Sequence, residues 1–338
     1  MNQTEMRQDP LRKSWTLFSD ARTVKPPLLS RKKGPASATG QPGISPFTAG
    51  NESFTPPALH EVKSGDQWQV RVIPNRAPAL QIEGQPGISA DGFYDRMDSI
   101  GAHELIVEAP GSETFESLPL PAIGEVINAW KLRMLDLARD HRMRSFFIVK
   151  NSGETAGAGV PHAISQLFAM AVVPPVLRQK LEVARDFFER KKRSIFEDIL
   201  RDEVRVATRL VYENNGFAVF CPYASRSPFE LAIYPKRQCP DFHGISDQEQ
   251  AQLADALKTA LLKLNRALDM PQYNLVLFTA PARTARRDQW NTIEHDFRWH
   301  IEIVPRLFYT DGFELATGCQ MNPVWPETAA EFLRKIEL

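Results

Sequence analysis

Two short segments of this sequence carry chemically able side chains on one alternating face. In the first, His162, Ile164 and Gln166 alternate with Ala163 and Ser165. If the segment is a strand, the first three share one face. A neutral imidazole keeps a lone pair near pH 7 and suits a nucleophile, a base or a metal ligand. Ile164 on the same face has no lone pair and can only pack. In the second segment Arg298, His300 and Glu302 share one side, and Trp299, Ile301 and Ile303 the other. A histidine between a guanidinium and a carboxylate fits a phosphate clamp or a general acid–base pair. The same trio also fits a structural, hydrogen-bonded histidine, and both readings stand.

The elements that must position these residues read as two copies of one order. WQVRVIPN (68–75), HELIVEAP (103–110), SFFIVKN (145–151) and HAISQLFAMAVV (162–173) are strand-like and end in proline, asparagine or glycine punctuation. Within this set, Ile123, Val126, Ile127, Trp130, Met134 and Leu137 recur at helical spacing over residues 121–140. FAVFCPY (217–223), FELAIYP (229–235), an amphipathic helix over 246–269, YNLVLF (273–278) and RWHIEIVP (298–305) then repeat the series. Only two units exist, so this is a duplication rather than a solenoid. The pattern predicts an α+β fold with antiparallel sheets, packed helices and a pseudo-twofold axis. The expected divisions are an arm over 1–60, a first repeat over 61–175, a linking helix over 176–213 and a second repeat over 214–338. Seven prolines between Pro26 and Pro57, with Gly34, Gly40, Gly43 and Gly50, make the arm a wrapping loop or a mobile lead-in.

Composition bounds the partners. Lysine plus arginine equals aspartate plus glutamate at 41 each, so bulk charge favours neither nucleic acid nor an anionic membrane. The longest apolar run, Ile164 to Leu177, is broken by Pro174 and Pro175, and nothing in it is long enough to span a bilayer. The first residues lack an apolar core for a secretory signal. Cys221, Cys239 and Cys319 are far apart and form no disulfide framework or paired metal knuckle. A cytoplasmic protein is the expectation.

Several segments together resemble the galactose-1-phosphate uridylyltransferase branch of the histidine-triad (HIT) superfamily, which includes related sugar-nucleotide phosphorylases. They include RQDPLRKSW (7–15), SPFTAGNE (45–52), RVIPNRAPAL (71–80), GAHELIVEAP (101–110), FFIVKNSGETAGAG (146–159), YENNGFAVFCPYASRSPFELAIYPKR (212–237), FRWHIEIVPRL (297–307) and GFELATG (312–318). The resemblance implies two fused HIT-like repeats and a nucleotide or sugar-nucleotide ligand. In that family the second histidine of a His-Pro-His-x-Gln strand attacks the α-phosphorus and forms a covalent nucleotidyl-histidine. Here the matching run is Pro161-His162-Ala163-Ile164-Ser165-Gln166. The nucleophile position is Ile164, and isoleucine cannot form that intermediate.

The resemblance also assigns ligand contacts. Asn75 and Leu80 fall in its nucleoside segment, and Lys150, Asn151 and Gly153 in its phosphate-side loop. Ser165 lies on the reactive strand, and Phe313 and Glu314 fall in the sugar-contacting region. Turn capping is the alternative for Asn75 and Asn151. A phosphate-touching serine of some relatives is Gly159 here. The family's first zinc site matches Ser45, Thr48, Ser112 and His162, and a second paired-cysteine place reads Ser194-Ile195-Phe196-Glu197. Hydroxyls are poor replacements for thiolates, so no metal and no other cofactor is expected. Relatives commonly dimerise, so a homodimer is expected as well. The expected function is binding of a nucleotide or sugar nucleotide without the covalent route. Any catalysis would run by direct displacement or cleavage, helped by His162, Gln166, His300, Glu302 or Arg298. The other reading is a binding or regulatory protein that kept the pocket and lost the chemistry.

Overall fold

The structure, a computed structural model of the chain, describes residues 4–25, 45–283 and 290–338. The prolines and glycines between Pro26 and Gly43 lie outside the described residues. Fifteen strands are present among the described residues: β1 (Thr4–Gln8), β2 (Trp15–Ser19), β3 (His60–Ser64), β4 (Gln67–Pro74), β5 (Ile88–Asp91), β6 (Tyr94–Met97), β7 (Gly101–Val107), β8 (Ser145–Ser152), β9 (Ile164–Met170), β10 (Leu210–Glu213), β11 (Phe217–Phe220), β12 (Leu231–Pro235), β13 (Tyr273–Phe278), β14 (His300–Pro305) and β15 (Gln320–Met321).

Ten of them form one continuous antiparallel sheet in the order β3-β4-β7-β9-β8-β13-β14-β12-β11-β10. The order is a palindrome of roles. Reading inward from either edge gives two hairpin strands, a third strand, then the last strand of the repeat, then its fourth. The halves meet where β8 pairs antiparallel with β13, from Phe147 opposite Phe278 to Ser152 opposite Tyr273. The duplication read from strand order is therefore a pseudo-twofold about this central pair, and the fold is α+β as expected. The two repeats share one sheet rather than holding one each, because β8 and β13 satisfy each other's edge hydrogen bonds.

The helices Leu120–Leu137 and Asp247–Leu268 pack on one face. All six apolar positions predicted for the first helix are buried, and Leu253, Leu257, Leu261 and Leu264 of the second are fully enclosed. They join Val70, Ile106, Ile148, Leu167, Leu275 and Ile301 in one core. Ser246 and Glu249 form a reciprocal capping box that starts the second helix.

The single helix expected over 176–213 is instead two helices, Pro175–Lys191 and Ile195–Val206, followed by β10. Lys192 and Ala207 adopt positive φ of 56° and 57° and end the two helices. These helices cover the opposite face of the second half, where Leu177, Leu181 and Phe196 meet Phe220, Ala232, Tyr234 and Phe278. The arm is not wholly loop. Its described start supplies β1 and β2, which build a small sheet with β15. Among the described residues no helix is long and apolar enough to cross a membrane.

One glycine has a packing requirement that bears on the site. A Cβ at Gly101 would stand 2.2 Å from the carbonyl oxygen of Ala169 and 2.9 Å from Leu80 Cδ1. Backbone cannot retreat from such a contact without disturbing the β7–β9 ladder. Gly101→Ala is expected to destabilise the fold by about 1–3 kcal/mol. Urea unfolding should show the midpoint fall with little change in slope.

Candidate functional site

On the same face as the helices 175–191 and 195–206, His103 of β7 and Gln166 of β9 come together. Gln166 lies opposite Leu105 on β7 and Val149 on β8. His103 Nε2–H donates to Gln166 Oε1 at 2.8 Å. The other ring nitrogen, Nδ1, accepts the Ala79 backbone N–H at 3.1 Å. Asn75 Nδ2 stands 3.3 Å from the same nitrogen. His103 also stacks on Phe168, with ring centroids 4.1 Å apart. These bonds fix the tautomer, and burial lowers the pKa of His103 against the opposing pull of Gln166. The ring is a neutral strut that commits the amide oxygen of Gln166 and leaves its NH2 as the group able to meet an anion. His103 is a partner of Gln166 that sequence reasoning did not single out. Its place opposite the strand of Gln166 was legible only once the two strands were paired.

Of the expected nucleoside contacts, Asn75 stands beside His103. Asn75 accepts the Ala77 N–H through Oδ1, so it caps its turn as well as touching His103. Leu80 packs toward Gly101. Beside them a cavity of about 380 Å³ is lined by Phe47, Phe54, Ile73, Asn75 and Leu105. Its flat apolar walls suit an aromatic base.

A second cavity, of about 330 Å³, opens at the ends of β8 and β9 and is lined by Lys150, Asn151, Gly153, His162 and Ala163. His162 precedes β9 rather than sitting within it. Its Nε2–H donates to the Ala109 carbonyl at 2.9 Å, and Ser45 Oγ lies 3.5 Å from Nδ1. Both ring nitrogens therefore face uncharged oxygens. Ile164 opens β9 opposite Val107, which packs with Trp68 and Ile73. Asn151 accepts a hydrogen bond from Asn274 of the other half at 2.7 Å. Gly153, at φ 88°, leaves no room for a Cβ, which would fall 2.3 Å from Gln272.

Four assigned contact residues have side chains that point away from the Gln166 face. Ser165 faces the helix side, where its hydroxyl accepts from Trp130 Nε1 at 2.7 Å, so only its backbone is near the cleft. Strand alternation requires this, since Ser165 sits between Ile164 and Gln166. Lys150 also turns to the helix side and pairs with buried Glu108. Phe313 and Glu314 lie on the short helix Gly312–Thr317, where Glu314 Oε2 accepts the Asp311 N–H at 3.1 Å and Oε1 the Met321 N–H at 3.2 Å. Among the described residues no hydrogen bond or ring contact joins them to His162 or Gln166.

The second-half trio is a buried ionic cluster. Lys180 donates to His300 Nε2 at 2.6 Å and to Glu302 Oε1 at 2.5 Å. His300 Nδ1–H donates to the Arg298 carbonyl at 2.9 Å. Arg12 and Arg226 hold the other Glu302 oxygen. Arg298 reaches Glu197 and the Pro235 carbonyl instead. Burial opposes the charge on Glu302, yet Arg12, Lys180 and Arg226 together hold its carboxyl well below the usual range. Burial and the neighbouring Lys180 push His300 down to about 3. The ring is neutral, with both nitrogens engaged, which is the structural alternative. β9 and β14 are separated by β8 and β13, so the trio stands roughly 14 Å across the sheet from Gln166 at the usual strand spacing. A phosphate at Ile164 is out of its reach. Lys180 and Arg12 were invisible as partners because they come from the linking region and the arm.

The galactose-1-phosphate uridyl transferase N-terminal domain profile matches residues 1–174, and the C-terminal domain profile matches residues 180–338. ADP-glucose phosphorylase of Arabidopsis thaliana is 32% identical over 338 residues, covering 99% of this chain and 93% of that protein. Galactose-1-phosphate uridylyltransferase of Thermotoga maritima is 26% identical over 343 residues, covering 99% of each. The crystal structure of the Arabidopsis ADP-glucose phosphorylase with bound ADP-glucose superposes with a TM-score of 0.81 at 29% identity, covering 99% of this chain and 100% of that one.

Proposed function

The chain belongs to the galactose-1-phosphate uridyl transferase family, and from that premise we propose that it binds a nucleotide sugar in the first-half cleft without forming a covalent nucleotidyl-enzyme. The observation that carries this reading is the fixed His103–Gln166 pair beside Ile164. The amide that would meet the phosphates is oriented, while the attacking position holds a hydrocarbon. The base would occupy the apolar cavity at Phe47 and Asn75, and the phosphates would run toward Asn151 and Gly153. Any group transfer would then be one displacement, with the acceptor attacking phosphorus directly. His162 would serve it by orientation, since its ring is tied to Ala109 and Ser45. A second reading, binding without turnover, is favoured by the commitment of His300 and Glu302 to an internal cluster.

Calorimetry with ADP-glucose and UDP-glucose tests the ligand. Binding of at least one is expected, and Gln166→Ala should weaken it about tenfold, the worth of one or two hydrogen bonds. Denaturation after incubation with radiolabelled nucleotide sugar should leave the chain unlabelled. Acid-labile label on a histidine would defeat the non-covalent route. Release of sugar phosphate in the presence of inorganic phosphate would separate the enzyme from the binding protein.

A further inference from the structure

Beneath the second cavity lies an ion pair that the binding mode above leaves unused. Alternation along β8 turns Lys150 away from Asn151 and toward the helix face. There it is 4% exposed and pairs with Glu108, which is 1% exposed. Its ammonium also reaches the Ile164 carbonyl at 3.4 Å and sits 5.4 Å from the Phe115 ring centroid. One oxygen of the Glu108 carboxylate, Oε1, is buried with no hydrogen-bond partner. Lys150 nevertheless lines the cavity beside Asn151, Gly153 and His162.

We propose that Lys150 is a ligand-switched cation: a phosphate entering this cavity draws the ammonium away from Glu108, and Glu108 takes a proton from solvent in exchange. The proposal rests on the nucleotide-sugar reading. A lysine is a flexible point charge with three donors, able to change partners by rotation of its stem. A carboxylate in a dry site is tolerable only while paired. Glu108 faces Lys150 from β8, Ser165 from β9, Glu116 from the turn at 115–117 and the buried Tyr273 from β13, and Trp130 closes the group through Ser165. Burial already pushes the Glu108 carboxyl up, Lys150 and Ser165 oppose this, and Glu116 adds to it. Once Lys150 leaves, the main opposing charge is gone and burial drives the carboxyl toward its neutral form. The only covalent change is a proton transfer: an O–H bond forms on Glu108 as one breaks in the buffer acid that supplies the proton, and the ammonium keeps its own protons.

The test is calorimetry of ADP-glucose binding to the full chain near pH 7 in two buffers of different ionisation enthalpy. ADP-glucose has no phosphate that titrates near neutrality, so proton exchange reports the protein. Uptake of about one proton per bound ligand is expected, with affinity weakening as pH rises from about 6 to 8. Glu108→Gln should abolish the uptake and bind about tenfold tighter, because Lys150 no longer leaves a charge behind. Lys150→Met should also abolish the uptake and bind about tenfold more weakly. Binding without proton uptake, or uptake that persists in Glu108→Gln, overturns the switch while leaving the ligand reading intact. Failure of ADP-glucose to bind the unaltered protein overturns both. If Glu108→Gln does not fold, the two-buffer measurement and the pH series on the unaltered protein decide alone.

Discussion

Lys180→Met is expected to lower stability by about 3–5 kcal/mol, read as a fall in the urea midpoint, because it removes one member of a buried ionic cluster. Lys180 is fully enclosed and donates to both His300 and Glu302. Its ammonium also lies 3.9 Å from the Phe278 ring centroid. Methionine keeps the stem's packing, so the loss reports charge rather than a cavity. Arg12 and Arg226 still hold Glu302 after the change, which places the expectation toward the lower end of the range. A pH series separates this cluster from ordinary packing. The unfolded chain protonates His300 near 6.5, while the folded chain excludes that proton down to about 3. Across that window the unfolded state binds more protons, so stability rises with pH and falls, by up to about 1.4 kcal/mol per unit, as acid is added. Without the Lys180 charge the ring accepts its proton sooner, and the acid limb should become shallower. An unchanged acid limb would mean that His300 is not the group being titrated.

What the sequence made legible was whatever rests on period and order. The apolar positions of helix 120–137 and of β13 follow from spacing alone, and their burial matches it. The duplication was readable because the same strand order recurs. Joining the halves through β8 and β13 was not readable, since nothing in either strand marks it as inner rather than edge. The linking segment misled for a local reason. Its charged, amphipathic pattern continues through Lys192 and Ala207, and neither is a glycine that would announce a positive φ. At the site, the face shared by Ile164 and Gln166 followed from alternation. By the same rule Ser165 and Lys150 belong to the other face, and the family resemblance outweighed it there. Lys180 and Arg12, which reach His300 and Glu302, lie more than a hundred positions away, and such contacts leave no periodic trace.

Ile164→His is expected to leave nucleotidyl transfer at least about a hundredfold below the Thermotoga uridylyltransferase assayed alongside it. A nucleophilic imidazole needs one nitrogen held by an acceptor so that the other attacks. The position opens β9 opposite Val107, which itself packs with Trp68 and Ile73. The nearby Ala109 carbonyl, an apt acceptor, is already taken by His162. The Ile164 carbonyl is drawn toward Lys150 beneath the sheet, which fixes the backbone for the side chain now present. Ala163 stands where the family has proline, so the approach to the new histidine is less constrained. A misplacement of about 1 Å is enough to cost roughly a hundredfold. The comparison that decides is the single change against a triple change that adds Ala163→Pro and Gly159→Ser. A gain confined to the triple variant would show that the setting drifted along with the nucleophile. Rates near the uridylyltransferase from Ile164→His alone would show a catalytic site intact but for one side chain, and the single-displacement reading would fall with it.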